Sequence, residues 1–484
     1  MKTTIEKRVI SAALAALAAL TLALVSCGQT GIGDGETSTE PTGTTETTAP
    51  EETVDTRYVS DLEVRDFDGK EFRIVSFECV NVHYNMVPEE ETGDTISDAL
   101  FARNRDVTDK YNVRLTETFN NWNDGGLRAS VLAGDDSYDI ISVSCPSALP
   151  WYRDGLIIPY DDLPNIDLDK GYWDSSINES LSIDGVHYIA DGAYNLDIYD
   201  LTFCLLVSKP LCEQYGIENI YKDVSDGNWT FDLMKNYMML VASDLNGDSV
   251  MDENDQYGYT AHPKMVAPGF WIGADELSII KDKNDHPTIN MTDQHFVEVF
   301  DKIFNVVWDS NASYLTSGDE LDIPSECRKV FSENRSLFID MSFFYIEAMR
   351  GVETDFGIIP YPKYDENQSE YHSRVCYYFP SVVPATCQDT DFVGYMLETL
   401  NYESYKTVIP AYYETALKTK YSRDAESSEM LDLIFASRRI DIGDSTLGDI
   451  VRDNFIYTMM KNDKRDIIST VARNEKTINK RLEQ

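Results

Sequence analysis

The start of this chain constrains what the rest can fold into, because it has the composition of an export signal. Lys2, Lys7 and Arg8 precede an apolar run over residues 12–25. A basic start, an apolar run too short for a comfortable membrane span and a small residue at the break are typical of a secretory signal peptide. We therefore expect residues 1–26 to be removed, and the remainder to fold outside the cytoplasm.

Cys27 follows directly after Leu24-Val25-Ser26. This order resembles the lipobox of bacterial lipoproteins, in which cleavage leaves a lipid-modified cysteine at the new N-terminus. The resemblance implies that Cys27 anchors the protein to the outer face of the cell membrane, and the alternative is an ordinary signal peptide with an incidental cysteine. Residues 27–65 are predicted as this lipidated residue and a disordered tether, since the Thr, Glu, Gly and Pro that dominate it bury too little apolar surface to offset ordering entropy.

The composition of the body excludes several classes of function. The net charge of −43 argues against nucleic acid as a partner and against electrostatic binding to anionic lipid. The lipid on Cys27 is therefore the only contact with the membrane that we expect. The cysteines after Cys27 are scattered, without a CxxC spacing or paired histidines, which makes a disulfide framework or a zinc site a poor explanation. A body of roughly 430 residues exceeds one ordinary core and predicts two lobes.

The pattern after the tether predicts an α/β lobe with a largely parallel sheet, because strands alternate with helices. The predicted elements are a strand over 71–77, a helix from the Asp94 cap to about 110–112, a strand over 113–119, a helix over 127–133 and a strand over 138–144. Further on, we predict a helix over 230–243, a strand at 355–360 and a mostly helical end from about residue 401.

One loop has the spacing of a calcium-binding loop. Oxygen-bearing side chains stand at positions 1, 3, 5, 9 and 12 of a twelve-residue loop, and position 7 offers its backbone carbonyl. The predicted Ca²⁺ ligands are Asp244, Asn246, Asp248, Val250, Asp252 and Asp255. Ser249 replaces the usual Gly and Asp255 the usual Glu, and a strand follows, so this is half an EF-hand at most. We expect a structural ion, and the alternative is an acidic turn.

Aromatic residues are the second chemical signal. The chain contains six Trp and 29 Tyr, and an aromatic face stacks on the apolar face of a sugar ring while nearby Asn, Asp and Glu bind its hydroxyls. Trp122 lies within such a polar run, and Trp271 lies shortly before Asp275-Glu276. Each Trp has a structural alternative, which we favour for Trp173 and Trp229 because a helix cap follows each.

Enzyme signatures are mostly missing. The sequence has no GxSxG, no HExxH and no Walker loop. Asp355-Phe356-Gly357 lacks the other kinase motifs, and acidic pairs such as Asp197 with Asp200 are unavoidable among 84 carboxylates. We therefore expect no catalytic residues.

The order of several segments resembles a known family. Ala102-Arg103-Asn104-Arg105, the run over 133–140 and Gly227-Asn228-Trp229-Thr230-Phe231-Asp232 are similar to segments of extracellular solute-binding proteins of ABC importers, of the maltose-binding type. The stretches 182–188, 205–217 and 355–363 fit the same order, with Val-Ser-Lys in place of the usual YNK, and the likeness covers residues 70 to 440.

The resemblance implies a bilobal periplasmic-binding-protein-like fold, in which two α/β lobes are joined by crossover strands and close over a ligand. It places lobe 1 in residues 66–200 and 358–405, and lobe 2 in 201–357 and 406–484. The expected cleft residues are Trp122, Trp151, Asp197, Tyr199, Trp271, Phe343 and Phe344.

The leading hypothesis is a membrane-anchored, monomeric receptor that delivers a small solute, an oligosaccharide or sugar derivative, to an ABC permease. The alternatives are an extracellular hydrolase acting on glycans and a surface adhesion protein.

Overall fold

The structure is a computed structural model that describes residues 55–78, 84–120, 124–316, 325–346, 349, 352–376, 378–413 and 425–483. Residues Asp55–Gln484 cluster as one compact unit. The predicted signal peptide, Cys27, residues 28–54 of the predicted tether and Trp122 lie outside the described residues.

The strands fall into two five-stranded sheets and two short pairs. They are β1 Lys70–Phe77, β2 Val113–Asn120, β3 Ile140–Ser142, β4 Ile157–Ile158, β5 Phe203–Ser208, β6 Tyr257–Ala261, β7 Ile279–Lys281, β8 Pro287–Ile289, β9 Ser313–Leu315, β10 Ser336–Ser342, β11 Phe356–Ile359, β12 Ser373–Arg374, β13 Ser381–Pro384 and β14 Arg438–Arg439.

Helices cover the sheets and fill the C-terminal part. They are α1 Thr95–Tyr111, α2 Asp124–Leu132, α3 Cys145–Arg153, α4 Ser175–Leu181, α5 Asp197–Asp200, α6 Lys209–Tyr215, α7 Ile220–Ser225, α8 Phe231–Val241, α9 Pro263–Gly273, α10 Gln294–Val307, α11 Ser325–Ser332, α12 Phe343–Ile346, α13 Thr390–Tyr412, α14 Ala425–Ala436, α15 Tyr457–Lys461 and α16 Ile467–Glu483. A π-helical segment, Val451–Ile456, precedes α15.

Each large sheet belongs to one lobe. The first has the order β2-β1-β3-β13-β4, with β1 parallel to β2 and β3, and β13 antiparallel to β3 and β4. The second has the order β11-β5-β10-β6-β9, with β6 parallel to β9 and β10, and β5 antiparallel to β10 and β11. Strands β5 and β10 are buried along their whole length, and most of their residues are apolar, as expected of strands covered on both faces. The fold class predicted from the sequence is confirmed.

Two chain segments that run between the sheets lie side by side. One leads from the first sheet through α5 into β5, and the other leads from β11 back to β13. An antiparallel bridge joins Thr202 to Val375, and Cys376 N donates to Leu201 O at 2.9 Å. These paired crossings form the connection about which lobes of such a fold move relative to each other.

Local signals set the predicted element boundaries. The Asp94 side chain accepts from the Ile96 and Ser97 backbone N–H groups at the start of α1, as an N-cap residue does. Asn112 ends the helix in the left-handed conformation with φ of 50°, and β2 begins at the next residue. Helix α2 begins at Asp124, earlier than the predicted residue 127.

The structural interpretation of two tryptophans is confirmed. Trp173 donates its indole N–H to Glu398 Oε2 at 2.8 Å, and Trp229 donates to Pro360 O at 3.0 Å. The residues that follow them, Asp174 and Thr230, cap helices α4 and α8.

The end of the predicted tether packs on the body. Tyr58 stacks on Tyr405 with ring centroids 5.0 Å apart, and Tyr395 donates its hydroxyl to Glu63 O at 2.6 Å. The described part of residues 55–65 is therefore held by contacts that its composition did not indicate.

Candidate ligand site

A small pocket lies at the edge of the first sheet where β1 and β3 end. Ligand crevices in open α/β sheets form outside the carboxyl ends of the strands, so this edge is the expected place for one. The pocket has a volume of about 30 Å³, room for about two water molecules. It is lined by Ser76, Phe77, Tyr84, Met86, Ser142, Tyr194, Asn195, Leu196, Asp197, Phe379 and Ser381.

Asn195 fixes the wall of this pocket. Its side-chain amide donates to Asp191 Oδ1 at 2.8 Å and to Phe379 O at 3.2 Å, while its oxygen accepts from Asp197 N at 3.0 Å. Phe379 in turn stacks on Phe77 with centroids 4.1 Å apart and planes 16° from parallel. A crossing segment and a strand end are thereby held together at the pocket.

The carboxylates beside the small pocket have raised pKa values. Burial is the main cause for Asp197, whose pKa lies well above its ordinary value, and the nearby Asp200 and Asp191 raise it further. Burial also raises the pKa of Asp191 to about 7, against the opposing effect of hydrogen bonds from Asn195 and Tyr378. This corner therefore carries less negative charge at neutral pH than its sequence indicates.

A larger cavity, which we call the large cleft, is separated from the small pocket by the turn between β3 and α3. Its volume of about 840 Å³ falls within the range of pockets that hold small molecules. The lining residues come from α2, α3, the loop before the π-helical segment and the last turn of α16: Asp124, Gly125, Arg128, Pro146, Ser147, Pro150, Trp151, Asp154, Asp449 and Arg481.

Asp124 is the acceptor around which the large cleft is organised. Its Oδ2 accepts from the Ser147 hydroxyl at 2.6 Å and from the Ser144 hydroxyl at 3.4 Å. Its Oδ1 is shielded from solvent, and no donor within the described part of the chain reaches it. Buried carboxylate oxygens are almost always hydrogen-bonded in proteins, so Asp124 Oδ1 has accepting capacity that the described residues leave unused.

The other charged residues of the large cleft form ion pairs across it. Arg128 pairs with Asp154, and Arg481 Nη2 lies 3.0 Å from Asp449 Oδ2. All four side chains remain partly exposed, so their unused N–H groups and oxygen lone pairs can bind hydroxyl groups. The cleft thus offers donors and acceptors together, with a carboxylate in excess.

The structure brings two of the predicted ligand residues to these cavities. Trp151 lines the large cleft, although only 2% of the residue is exposed. Asp197 lines the small pocket. Tyr199 lines neither: it packs against Tyr412 and Phe435.

The predicted ligand residues of the second lobe are placed differently from the expectation. Trp271 has no exposed surface, and its indole N–H donates to the buried Asp441 at 2.9 Å. Phe343 is equally buried, with its ring 4.7 Å from that of Phe435, and Phe344 is half-buried beside Tyr345. In this conformation none of the three lines either cavity.

Sequence reasoning missed most of the polar lining of the large cleft. Asp124 ends the polar run around Trp122, which is its only local signal. Arg128, Ser147, Asp449 and Arg481 carry no motif, and only the tertiary structure brings them to one cavity.

The predicted calcium loop is closed by its own hydrogen bonds. Asp244 accepts from Gly247 N at 2.6 Å and from Ser249 N at 2.8 Å, while Asp255 accepts from Leu245 N and Asp252 N. Ser249 takes φ of 66° at the position where such loops prefer Gly. Among the residues that the structure describes, no three His, Cys, Asp or Glu side chains come close enough to hold a metal ion.

Comparison with known proteins identifies the fold. No family model matches the sequence, and no curated protein matches it. Among solved structures, an ABC substrate-binding protein of Listeria monocytogenes in complex with cycloalternan matches with a TM-score of 0.53 and 10% identity, covering 85% of this chain and 99% of that one. A cyclo/maltodextrin-binding protein complexed with maltotetraose matches with a TM-score of 0.55 and 11% identity, covering 86% and 95%.

A third similar structure is the GacH receptor of Streptomyces glaucescens, solved unliganded and in complex with acarbose. It matches with a TM-score of 0.52 and 12% identity, covering 86% of this chain and 99% of that one. In the described ranges, no helix has the length and apolar character needed to cross a membrane. At these identities the likeness concerns the fold, and it agrees with the two sheets and paired crossings described above. The chain therefore has the two-lobed fold of the maltose-binding-type solute-binding proteins of ABC transporters.

Proposed function

We propose that this protein is an extracytoplasmic solute-binding protein that captures a neutral sugar or oligosaccharide in the large cleft and delivers it to an ABC permease. The observation that carries the proposal is the large cleft itself, a cavity of about 840 Å³ lined by three carboxylates, two guanidinium groups and a serine hydroxyl. Sugar hydroxyls donate and accept hydrogen bonds at once, so a lining that offers both kinds of partner suits them.

The charges of the cleft favour a neutral solute over an anion. Arg128 and Arg481 are each paired with a carboxylate, which leaves Asp124 without a counter-ion in the lining. The net charge of −43 adds a repulsive field for anions approaching from solution. Similar folds have been solved with cycloalternan, maltotetraose and acarbose, which supports a carbohydrate ligand.

The proposed mode of action is binding without chemistry. The two chain segments that are bridged at Thr202 and Val375 allow the lobes to move as units. A solute that contacts both lobes then favours the closed arrangement. We propose that a lipid on Cys27 holds the protein at the outer face of the cell membrane. From this position the protein supplies captured solute to a permease.

We also propose a structural Ca²⁺ in the Asp244–Asp255 loop. The spacing of its oxygen side chains and the left-handed turn at Ser249 support it. Because the carboxylates alone do not form a metal site, the ion would need Asn246 and the Val250 carbonyl among its ligands.

The ligand proposal is tested by calorimetry and thermal shift with a panel of neutral oligosaccharides, amino sugars and uronic acids. We expect a neutral oligosaccharide to bind and to raise the melting temperature without being converted. Asp124→Asn should weaken binding about tenfold, because it removes a charged acceptor worth about 1.4 kcal/mol.

The matched control is Asp169→Asn, an exposed change in the same lobe that should leave the affinity within about twofold. Turnover of any glycan would overturn the binding role and support a hydrolase instead. Equal affinities of the two variants would remove Asp124 from the site.

A further inference from the structure

The C-terminal helix α16 is attached at its start to the second lobe. Just before it, Arg465 donates from Nη1 and Nη2 to the two carboxylate oxygens of Asp309 at 3.0 and 2.7 Å. The adjacent Trp308, which ends α10, donates its indole N–H to Met460 O at 3.1 Å. Helix α10 lies between β8 and β9 in the chain, so these contacts tie the end of the chain to elements of the second lobe.

The last turn of α16 is attached to the first lobe. Arg481 Nη1 donates to Pro146 O at 3.4 Å, and Arg153 Nη2 donates to Leu482 O at 2.9 Å. Pro146 and Arg153 stand near the two ends of α3, the helix that follows the central strand β3. Leu482 and Ile478 are buried along the same helix, so apolar packing accompanies the polar contacts.

One helix therefore reaches from one lobe to the other. Its 17 residues give a length of about 25 Å at the rise of an α-helix. At the first-lobe end, Arg481 and its ion-pair partner Asp449 both line the large cleft. The Arg481 side chain is 28% exposed, so it keeps donors for a molecule in the cleft.

We infer that α16 forms one wall of the ligand site, with Arg481 as a specificity-determining donor to the solute, and that the helix connects the two lobes across the cleft. The inference rests on the proposed function, because the solute is the one assigned to the large cleft. A segment 335 positions from Pro146 along the chain thus determines both the shape of the large cleft and its affinity for the solute. A guanidinium held by a carboxylate has a fixed orientation, which suits recognition of adjacent hydroxyl groups.

The first test compares Arg481→Gln with Lys480→Gln in the full-length protein. Both variants remove one positive charge from the same turn, but Lys480 is exposed and does not line the cleft. With an oligosaccharide that binds the wild type, Arg481→Gln should raise the Kd about tenfold, and Lys480→Gln should change it less than twofold. Equal effects of the two variants would overturn the assignment of Arg481.

The second test needs no ligand and separates this inference from the proposed function. Hydrogen exchange measures the opening of the backbone amides of α3, which is hydrogen-bonded to the last turn of α16 at Pro146 and Arg153. We expect faster exchange in the first turn of α3 in Arg481→Gln than in Lys480→Gln. If the wild type binds no carbohydrate, the proposed function fails, while faster exchange still supports the contact between α16 and α3. Unchanged exchange in both variants would overturn the contact itself.

Discussion

Arg374 and Asp444 form a bidentate ion pair in which neither side chain is exposed. Arg374 Nε and Nη2 donate to the two oxygens of Asp444 at 2.6 and 2.9 Å. Arg452 adds a donation to the Asp444 carbonyl at 2.8 Å. Arg374 ends β12 and directly precedes Val375, which is bridged to the other crossing segment. Two buried guanidinium groups therefore converge on one residue beside the connection between the lobes.

Asp444→Asn should destabilise the protein by about 3–5 kcal/mol, because it leaves buried guanidinium charge without its partner. Urea denaturation measures the change as a shift of the unfolding midpoint. The control is Asp226→Asn, which breaks the exposed pair with Lys222 and should cost no more than about 1 kcal/mol. Equal midpoints for the two variants would contradict a structural role for the buried pair.

The pKa of Asp191 predicts a pH dependence of stability. Burial raises this pKa to about 7 in the folded protein, while in the unfolded chain it is about 3.9. Between these values the folded state holds the extra proton, so the free energy of unfolding falls as the pH rises from about 4 to about 7. Asp191→Asn should remove this contribution, together with the part of the Asp197 contribution that depends on the charge of Asp191.

Urea denaturation of both proteins between about pH 4 and pH 8 measures the difference. The wild type should lose a few kcal/mol relative to the variant across this range. Asp441, whose pKa burial raises to about 6, contributes with the same sign in both proteins and cancels in the comparison. Parallel pH profiles would show that Asp191 has no raised pKa.

Calcium should raise the melting temperature if the Asp244–Asp255 loop binds it. A ligand that binds only the folded state at about 100 times its Kd adds about 2.7 kcal/mol of stability. Thermal unfolding in EDTA and in CaCl₂ measures the shift, and Asp248→Asn should reduce it by removing one charge from the loop. Asp226→Asn is the control that retains the full shift. The same melting temperature in EDTA and CaCl₂ would contradict the calcium site.

Cys27→Ser should release the protein from the membrane fraction, because the sulfur that would carry the lipid is gone. Fractionation followed by immunoblotting measures the distribution, and Cys212→Ser should remain anchored. Continued membrane association of the Cys27→Ser protein would refute the lipobox interpretation.

Local sequence signals predicted much of the first lobe because each acts over a few residues. The helix predicted from the Asp94 cap to about 110–112 and the strand predicted over 71–77 are present in the structure at nearly the same bounds. The resemblance then supplied the order of the elements, and the comparison of structures confirms the fold. The aromatic signal is ambiguous by itself, because an apolar ring that can stack on a sugar is equally suited to a core. Trp271 and Phe343 are buried among other residues of the second lobe.

The sequence by itself determined the acidic character, the alternation of helices and strands and the fold class, and it predicts an export signal. Only the tertiary structure decided which polar residues share a cleft. Asp124, Ser147, Asp449 and Arg481 meet because the fold brings one end of α2, α3 and the last turn of α16 to the same cavity, and no local pattern records a contact between Arg481 and Pro146 over 335 positions. Such a contact results from the burial of apolar helix faces, for example the face that carries Ile478 and Leu482. This burial fixes where each helix lies, and the polar residues on the helix are positioned as a consequence.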